Sequence, residues 1–139
     1  MFAKSSARDI ALGIGTRSVT FTPAAGGSNE CDCTLQVVDS EAVALPGFHN
    51  LMVWLSDSPA GEGLTATTAS GTVTAKASSG AVIGTLTAKM ALLVQTLKDG
   101  SFVLEITDSA KTDFYVCAAF LDEPKAPIVS AILETADYG

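Results

Sequence analysis

Short runs in which every second residue is apolar recur along this chain, and glycine, serine, asparagine and aspartate separate them. The run 102–107 is typical, because Phe102, Leu104 and Ile106 fall on one side of an extended chain and the residues between them fall on the other. A period of two with breaks every roughly 8–12 residues indicates short strands that each bury one face. The pattern therefore predicts a chain that is β almost throughout, and we identify no convincing helix and no internal repeat.

We predict ten strands, at 18–22, 33–38, 50–55, 64–67, 72–77, 82–86, 91–96, 102–107, 114–121 and 128–133. Asp99-Gly100 supplies the positive φ angles of a tight turn, so 91–96 and 102–107 are expected to pair as a hairpin. Ser70-Gly71 is expected to turn 64–67 back onto 72–77, and the turn at 78–80 to do the same for the next pair. The fold class we predict is an all-β antiparallel β-sandwich, as a jelly roll, with an immunoglobulin-like sandwich as the alternative.

The length of 139 residues fits one domain. We divide the chain into an N-terminal arm at 1–15 and a single β-sandwich domain at 16–139. No segment reaches the ~20 apolar residues of a membrane helix, and residues 1–15 do not read as a signal peptide. We therefore expect synthesis in a cytoplasm and no membrane partner.

The chain is acidic, with 15 carboxylates against 8 lysines and arginines and a formal net charge of -7. Nucleic-acid affinity comes mainly from cationic side chains that neutralise phosphates, so this balance argues against a nucleic-acid partner. Alanine, threonine, serine and glycine are abundant, while only 17% of the residues are charged. Such a composition places many short side chains on the predicted strands.

Few residues are suited to catalysis. The one histidine, His49, lies just before an apolar strand, where we expect a surface position at the strand edge rather than a general base. No nucleophile motif and no phosphate-binding loop accompany it, so we predict no enzyme activity and no cofactor.

Three cysteines raise the question of a metal. In an extended Cys31-Asp32-Cys33 the two sulfurs lie about 7 Å apart. Two sulfurs that share a tetrahedral zinc ion lie only ~3.8 Å apart, so we predict no metal site. We expect Cys31, Cys33 and Cys117 to be buried free thiols that pack as small apolar side chains.

The spacing of Asp113, Tyr115 and Cys117 is similar to the strand-F pattern of immunoglobulin domains, with Trp54 as the core tryptophan and Cys33 as the partner cysteine. Two features depart from that pattern. The interval from Cys33 to Trp54 is longer than in that family. The more apolar face of the run 114–120 is its other one, so Tyr115 and Cys117 are expected to point away from the main core.

Several segments resemble a family of small structural domains in tailed-bacteriophage virions. They are 34–37 (TLQV), 53–57 (VWLSD), 63–66 (GLTA), 93–96 (LVQT), 100–104 (GSFVL), 106–108 (ITD) with 111–112 (KT), and 137–139 (DYG). A compact β-rich member of this size looks like a capsid decoration, or cement, protein. The resemblance implies a virion protein on the outer capsid surface that ties neighbouring major capsid protein subunits together. It also implies dimers or trimers and no catalytic residues.

The arm supplies the partner-contact residues that we predict. Apolar and cationic side chains are concentrated there and just beyond it, at Phe2, Arg8, Ile10, Leu12, Ile14 and Arg17. We expect them to dock on the major capsid protein by strand addition or by apolar insertion.

The alternative function is a tail-fibre or receptor-binding β-module that recognises a host-surface glycan. Trp54, Tyr115 or Tyr138 would then stack on a sugar ring.

Overall fold

A computed structural model describes residues 17–123 and 126–139. Their strands are β1 (Ser18–Ala25), β2 (Glu30–Val38), β3 (Asn50–Ser56), β4 (Val73–Ala75), β5 (Ala81–Thr87), β6 (Ala91–Gln95), β7 (Ser101–Thr107), β8 (Tyr115–Phe120) and β9 (Ile128–Ile132). A 3₁₀ turn at Thr135–Asp137 follows them. The predicted arm at 1–15 lies outside the described residues.

The strands form two antiparallel sheets that pack face to face. Sheet A has the order β1-β2-β7-β4, and sheet B has the order β5-β6-β3-β8-β9. This arrangement confirms the antiparallel β-sandwich. The order β1-β2-β7-β4 matches the A-B-E-D sheet of immunoglobulin-like sandwiches, and the neighbours β3-β8-β9 match C-F-G, whereas β5 and β6, which follow β4 in the chain and extend sheet B beyond β3, are placed differently.

The core lies between the sheets and is built by the alternation seen in the sequence. Phe102, Leu104 and Ile106 are fully buried, as predicted, while the residues between them are half-buried on the outer face of sheet A. At one end of the sandwich the C-terminal segment closes the core, because Tyr138 is buried and its hydroxyl donates to Thr112 O at 2.7 Å. Both sheets therefore bury one face against a shared apolar interior.

The predicted hairpin between 91–96 and 102–107 is wrong. The turn itself forms, with Gly100 at φ +84° and its amide donating to Leu97 O at 2.9 Å. However, β6 pairs with β3 and β5 in sheet B, while β7 pairs with β2 and β4 in sheet A. Val37 in β2 donates to Gly100 O at 2.9 Å and so holds the end of the turn on sheet A. The turn therefore carries the chain from one sheet to the other.

The predicted strand at 64–67 is also wrong, and with it the reversal at Ser70-Gly71. Thr65 is buried in the loop between β3 and β4, where its hydroxyl donates to Asp57 at 2.6 Å and its amide to Leu55 O. Because these local partners satisfy its polar groups, the segment does not join a sheet. The turn at 78–80 likewise links β4 in sheet A to β5 in sheet B and does not form a hairpin.

The immunoglobulin-like cysteine and tryptophan positions fall on opposite sides of sheet B. Cys33 on β2 is in the main core together with Phe114. Trp54 on β3 and Cys117 on β8 pack together on the outer side, with Tyr115 against them. The prediction that Tyr115 and Cys117 point away from the main core is confirmed. The cysteines are free and buried, also as predicted.

Candidate interaction surfaces

The two sheets differ in charge. None of the residues in β3, β5, β6, β8 and β9, the strands of sheet B, is charged. In sheet A, β2 and β7 carry Glu30, Asp32 and Glu105, all on the outer face. Sheet B therefore presents an outer face that other proteins can approach without desolvating charges.

Part of that outer face is covered by the loop after β3. The indole Nε1 of Trp54 donates to Gly61 O at 3.1 Å, and Trp54 is only 7% exposed. A Cβ atom on Gly61 would lie 2.9 Å from Val129 Cγ2 and 3.2 Å from Cys117 Sγ, at φ +75°. Only glycine fits this approach without strain. Burial raises the pKa of the Cys117 thiol to about 11, so the thiol stays protonated and inert.

The rest of the outer face of sheet B is more open. One row across it joins Gly84, Leu93, Met52 and Ala119 in register. At the edge, β5 has two irregularities in its pairing with β6, around Ile83 and Leu86. These two side chains are 54% and 55% exposed. The edge of sheet B thus carries aliphatic side chains in water.

The outer face of sheet A carries a paired acidic cluster. Carboxylate oxygens of Glu30, Asp32 and Glu105 lie close enough together to hold a metal ion. The Lys76 ammonium lies beside two of them, 2.7 Å from Asp32 and 2.9 Å from Glu30. The bonds to Asp32 and Glu30 raise the pKa of Lys76, and those from Lys76 and the Gly27 amide lower the pKa of Glu30. The positive charge beside Glu30 and Asp32 is therefore that of Lys76, and the cluster forms surface ion pairs.

Cys31 and Cys33 are fully buried on the inner face of β2. Burial, the largest cause, raises the pKa of Cys31 to about 11 and of Cys33 to about 12. Such thiols are poor nucleophiles and poor metal ligands at neutral pH, because both roles need the thiolate.

Arg17 is the one residue of the predicted contact set inside the described part of the chain. Its guanidinium lies 2.7 Å from Asp122, stacks 4.2 Å from the centroid of the Phe120 ring and lies 3.4 Å from His49 Nδ1. The bond from Arg17 lowers the pKa of Asp122. Arg17 thus ties the start of β1 to the end of β8. The other predicted contacts, Phe2, Arg8, Ile10, Leu12 and Ile14, lie outside the described residues.

His49 is half-buried at the start of β3, close to the predicted strand-edge position. Its backbone amide donates to the Thr96 hydroxyl at 2.9 Å, and its Nε2 lies 3.3 Å from Leu45 O. The neighbouring Phe48 is 65% exposed, the largest value among the exposed large apolar residues of the described chain. Sequence reasoning missed Phe48. The signal available was an aromatic residue in a loop, directly after Pro46-Gly47, rather than in an alternating run.

Of the aromatic residues considered for sugar stacking, Trp54 and Tyr138 are buried at 7% and 4% exposure. Tyr115 is half-buried against Trp54. Residues 17–123 and 126–139 enclose no pocket. Over the same residues there is no helix with the length and apolar character needed to cross a bilayer.

Comparison with known proteins adds no family: no protein-family model and no curated protein matches this chain.

Proposed function

We propose that this chain is a phage virion structural protein, a capsid decoration or cement protein. It would bind the outer surface of the assembled head and tie neighbouring major capsid protein subunits together, after synthesis in the host cytoplasm. The observation that carries the proposal is the absence of charge from all five strands of sheet B, combined with exposed aliphatic side chains at its edge. Such a side suits a protein that works while packed among other proteins.

The energetics of this role are simple. A protein that binds only the assembled shell stabilises that shell by mass action, and it needs no catalytic group to do so. The virion resemblance of segments such as 53–57 and 100–104 agrees with this role. We place the contact on the outer face and β5 edge of sheet B, with the arm at 1–15 as a second contact.

The test uses purified particles. Heads made with the gene for this chain deleted are mixed with the purified protein, and bound copies are counted by quantitative mass spectrometry. We expect hundreds of copies per head, on tail-less heads as well, and a higher melting temperature of the loaded heads. No binding to heads would overturn the proposal, as would a few copies confined to tails, the result expected of a receptor-binding module.

The arm is tested in the same assay. A chain lacking residues 1–14 is expected to fold but to occupy fewer head sites than the full chain. Occupancy equal to that of the full chain would remove the arm, including Phe2, Arg8, Ile10, Leu12 and Ile14, from the proposed contact.

A further inference from the structure

Phe48 lies at one end of the sandwich, on a loop whose backbone is fixed on both sides of it. The buried Thr96 accepts from the His49 amide at 2.9 Å, and its hydroxyl lies 3.2 Å from Gly47 O. The Gly47 amide in turn donates to Lys98 O. The residues before and after Phe48 are therefore both anchored, while its own ring is 65% exposed.

The rest of the loop is fixed in the same way. Leu45 donates to Val37 O at 2.9 Å, so the loop is held against the end of β2. The Asp39 carboxylate accepts from the amides of Glu41 and Val43, at 2.8 and 3.0 Å. An exposed aromatic ring on a backbone that is already ordered costs little entropy to bury at an interface.

Other exposed apolar side chains lie at the same end of the molecule. The bond from Gly47 to Lys98 places the turn with Leu97 beside the Phe48 loop, and the bond from the Leu121 amide to Asn50 O at 3.1 Å places Leu121 next to it. Val43, Leu97 and Leu121 are 57%, 36% and 47% exposed. We call Val43, Phe48, Leu97 and Leu121 the apolar tip. Clusters of this kind mark contact sites more often than single exposed side chains do.

The charge around the apolar tip indicates what it contacts. The apolar tip is formed by the loop with Val43 and Phe48, the turn with Leu97 and the segment with Leu121. Within the described residues, these three segments and Arg17 contribute five carboxylates and two cations: Asp39, Glu41, Asp99, Asp122 and Glu123, and Arg17 and Lys98. A second copy of the same tip would bring two net negative rims together. A partner of different sequence with a basic rim would not meet this repulsion.

We infer that the apolar tip is an anchor for a protein partner, with Phe48 inserted into an apolar pocket that lysine or arginine side chains border. The inference rests on the proposed function and names which end of the sandwich meets the capsid. The described part of the chain also begins at this end, because Arg17 lies 3.4 Å from His49 Nδ1.

The test compares Phe48→Ser with Leu64→Ser on heads made without this chain. Leu64 is 43% exposed in the loop between β3 and β4, at the opposite end of the sandwich, and serves as the matched control. Both variants are expected to melt at the wild-type temperature, since neither side chain is buried. Phe48→Ser should bind heads at least about 30-fold more weakly than wild type, as hot-spot residues do, and Leu64→Ser should bind like wild type.

The outcomes separate the two proposals. If the wild-type chain does not bind heads, the proposed function falls and this inference with it. If the wild type binds and Phe48→Ser binds as well as Leu64→Ser, this inference alone is overturned. Sedimentation of the free chain gives the remaining check: if Phe48→Ser dissociates an oligomer that Leu64→Ser leaves intact, the tip contacts a second copy, and the inference is overturned.

Discussion

The outer faces of the two sheets are built on different principles. The outer face of sheet A carries Glu30, Asp32 and Glu105 beside threonines, and Lys76 pairs with the first two. The outer face of sheet B has no charge and is covered in part by the chain's own loop at Gly61. Sheet A thus presents charged and polar side chains on its outer face, while the strands of sheet B present only uncharged ones.

The difference explains why the sheet B strands are apolar on both faces. In a strand with one solvated face, apolar and polar residues alternate, as they do in β2 and β7. A strand that is covered on both faces can be apolar at every position. On β3, Leu51, Val53 and Leu55 fill the main core, and Trp54 fills the smaller cluster under the Gly61 loop. The loop covers only one end of the face, so the rest of sheet B remains available to other proteins.

The largest effect is expected where the loop covers sheet B. Gly61→Ala places a methyl group against Val129 and Cys117 at a positive φ and should lower the free energy of unfolding by about 2–4 kcal/mol. Gly63→Ala is the matched control, since Gly63 has φ +71° but nothing within 4 Å of a Cβ atom, and should cost about 1 kcal/mol. Urea unfolding followed by the fluorescence of the single tryptophan measures both. If both variants lost the same free energy of unfolding, the Gly61 loop would not be packed tightly over Trp54.

A smaller effect is expected at the buried charge that follows β7 of sheet A. Asp108 is 1% exposed and accepts from the amides of Ser70, Ala110 and Thr112. Burial opposes its charge, but the hydrogen bonds, led by those from Thr112, outweigh burial and lower the pKa of Asp108 to about 2. Asp108→Asn should therefore cost about 2 kcal/mol at neutral pH.

The sign of the pH dependence follows from that lowered pKa. The ordinary carboxyl pKa is 3.8, so the stabilisation by Asp108 is complete above it and is lost as the pH falls toward 2. Chemical unfolding at a series of pH values should show a smaller loss of stability on acidification for Asp108→Asn than for wild type. The exposed Asp113 provides the control, and a curve for Asp113→Asn as flat as that of Asp108→Asn would assign the effect to general charge instead.

The smallest effect is expected on the solvated face of sheet A. Lys76→Met leaves Glu30 and Asp32 without their shared cation and should lower the melting temperature at low salt. Added salt should reduce the difference, because ions screen exposed charges. The exposed Lys98 supplies the control variant Lys98→Met. A loss that is independent of salt would show that this face is not solvated as described.

Much of the fold could be predicted from local pattern. The alternation of Phe102, Leu104 and Ile106 was sufficient to place a buried face, and the alternation in the run 114–120 placed Tyr115 and Cys117 on the far side of β8. The pairing of strands was less accessible. The turn at Asp99-Gly100 has hairpin chemistry, yet its neighbours go to different sheets, because long-range bonds such as that from Val37 to Gly100 decide where the chain runs.

The candidate contact surfaces were harder to predict than the fold. The charge-free strands of sheet B can be read from the sequence only after the strands are assigned to a sheet, which local pattern does not do. Phe48 lies outside every alternating run. The backbone on either side of it is fixed by hydrogen bonds to Thr96, which is distant in sequence. The predicted contacts of the arm stay predictions.

The central claim is that the uncharged side of the sandwich meets the particle while the outer face of sheet A stays in water. Its most direct test is the occupancy of two single-charge variants on heads made without this chain. Ile83→Glu adds a charge at the exposed edge of sheet B, and Thr20→Glu adds one at an exposed site on β1 of sheet A. The account predicts at least about tenfold weaker binding for Ile83→Glu and wild-type binding for Thr20→Glu. Wild-type binding by Ile83→Glu, or a loss confined to Thr20→Glu, would contradict it.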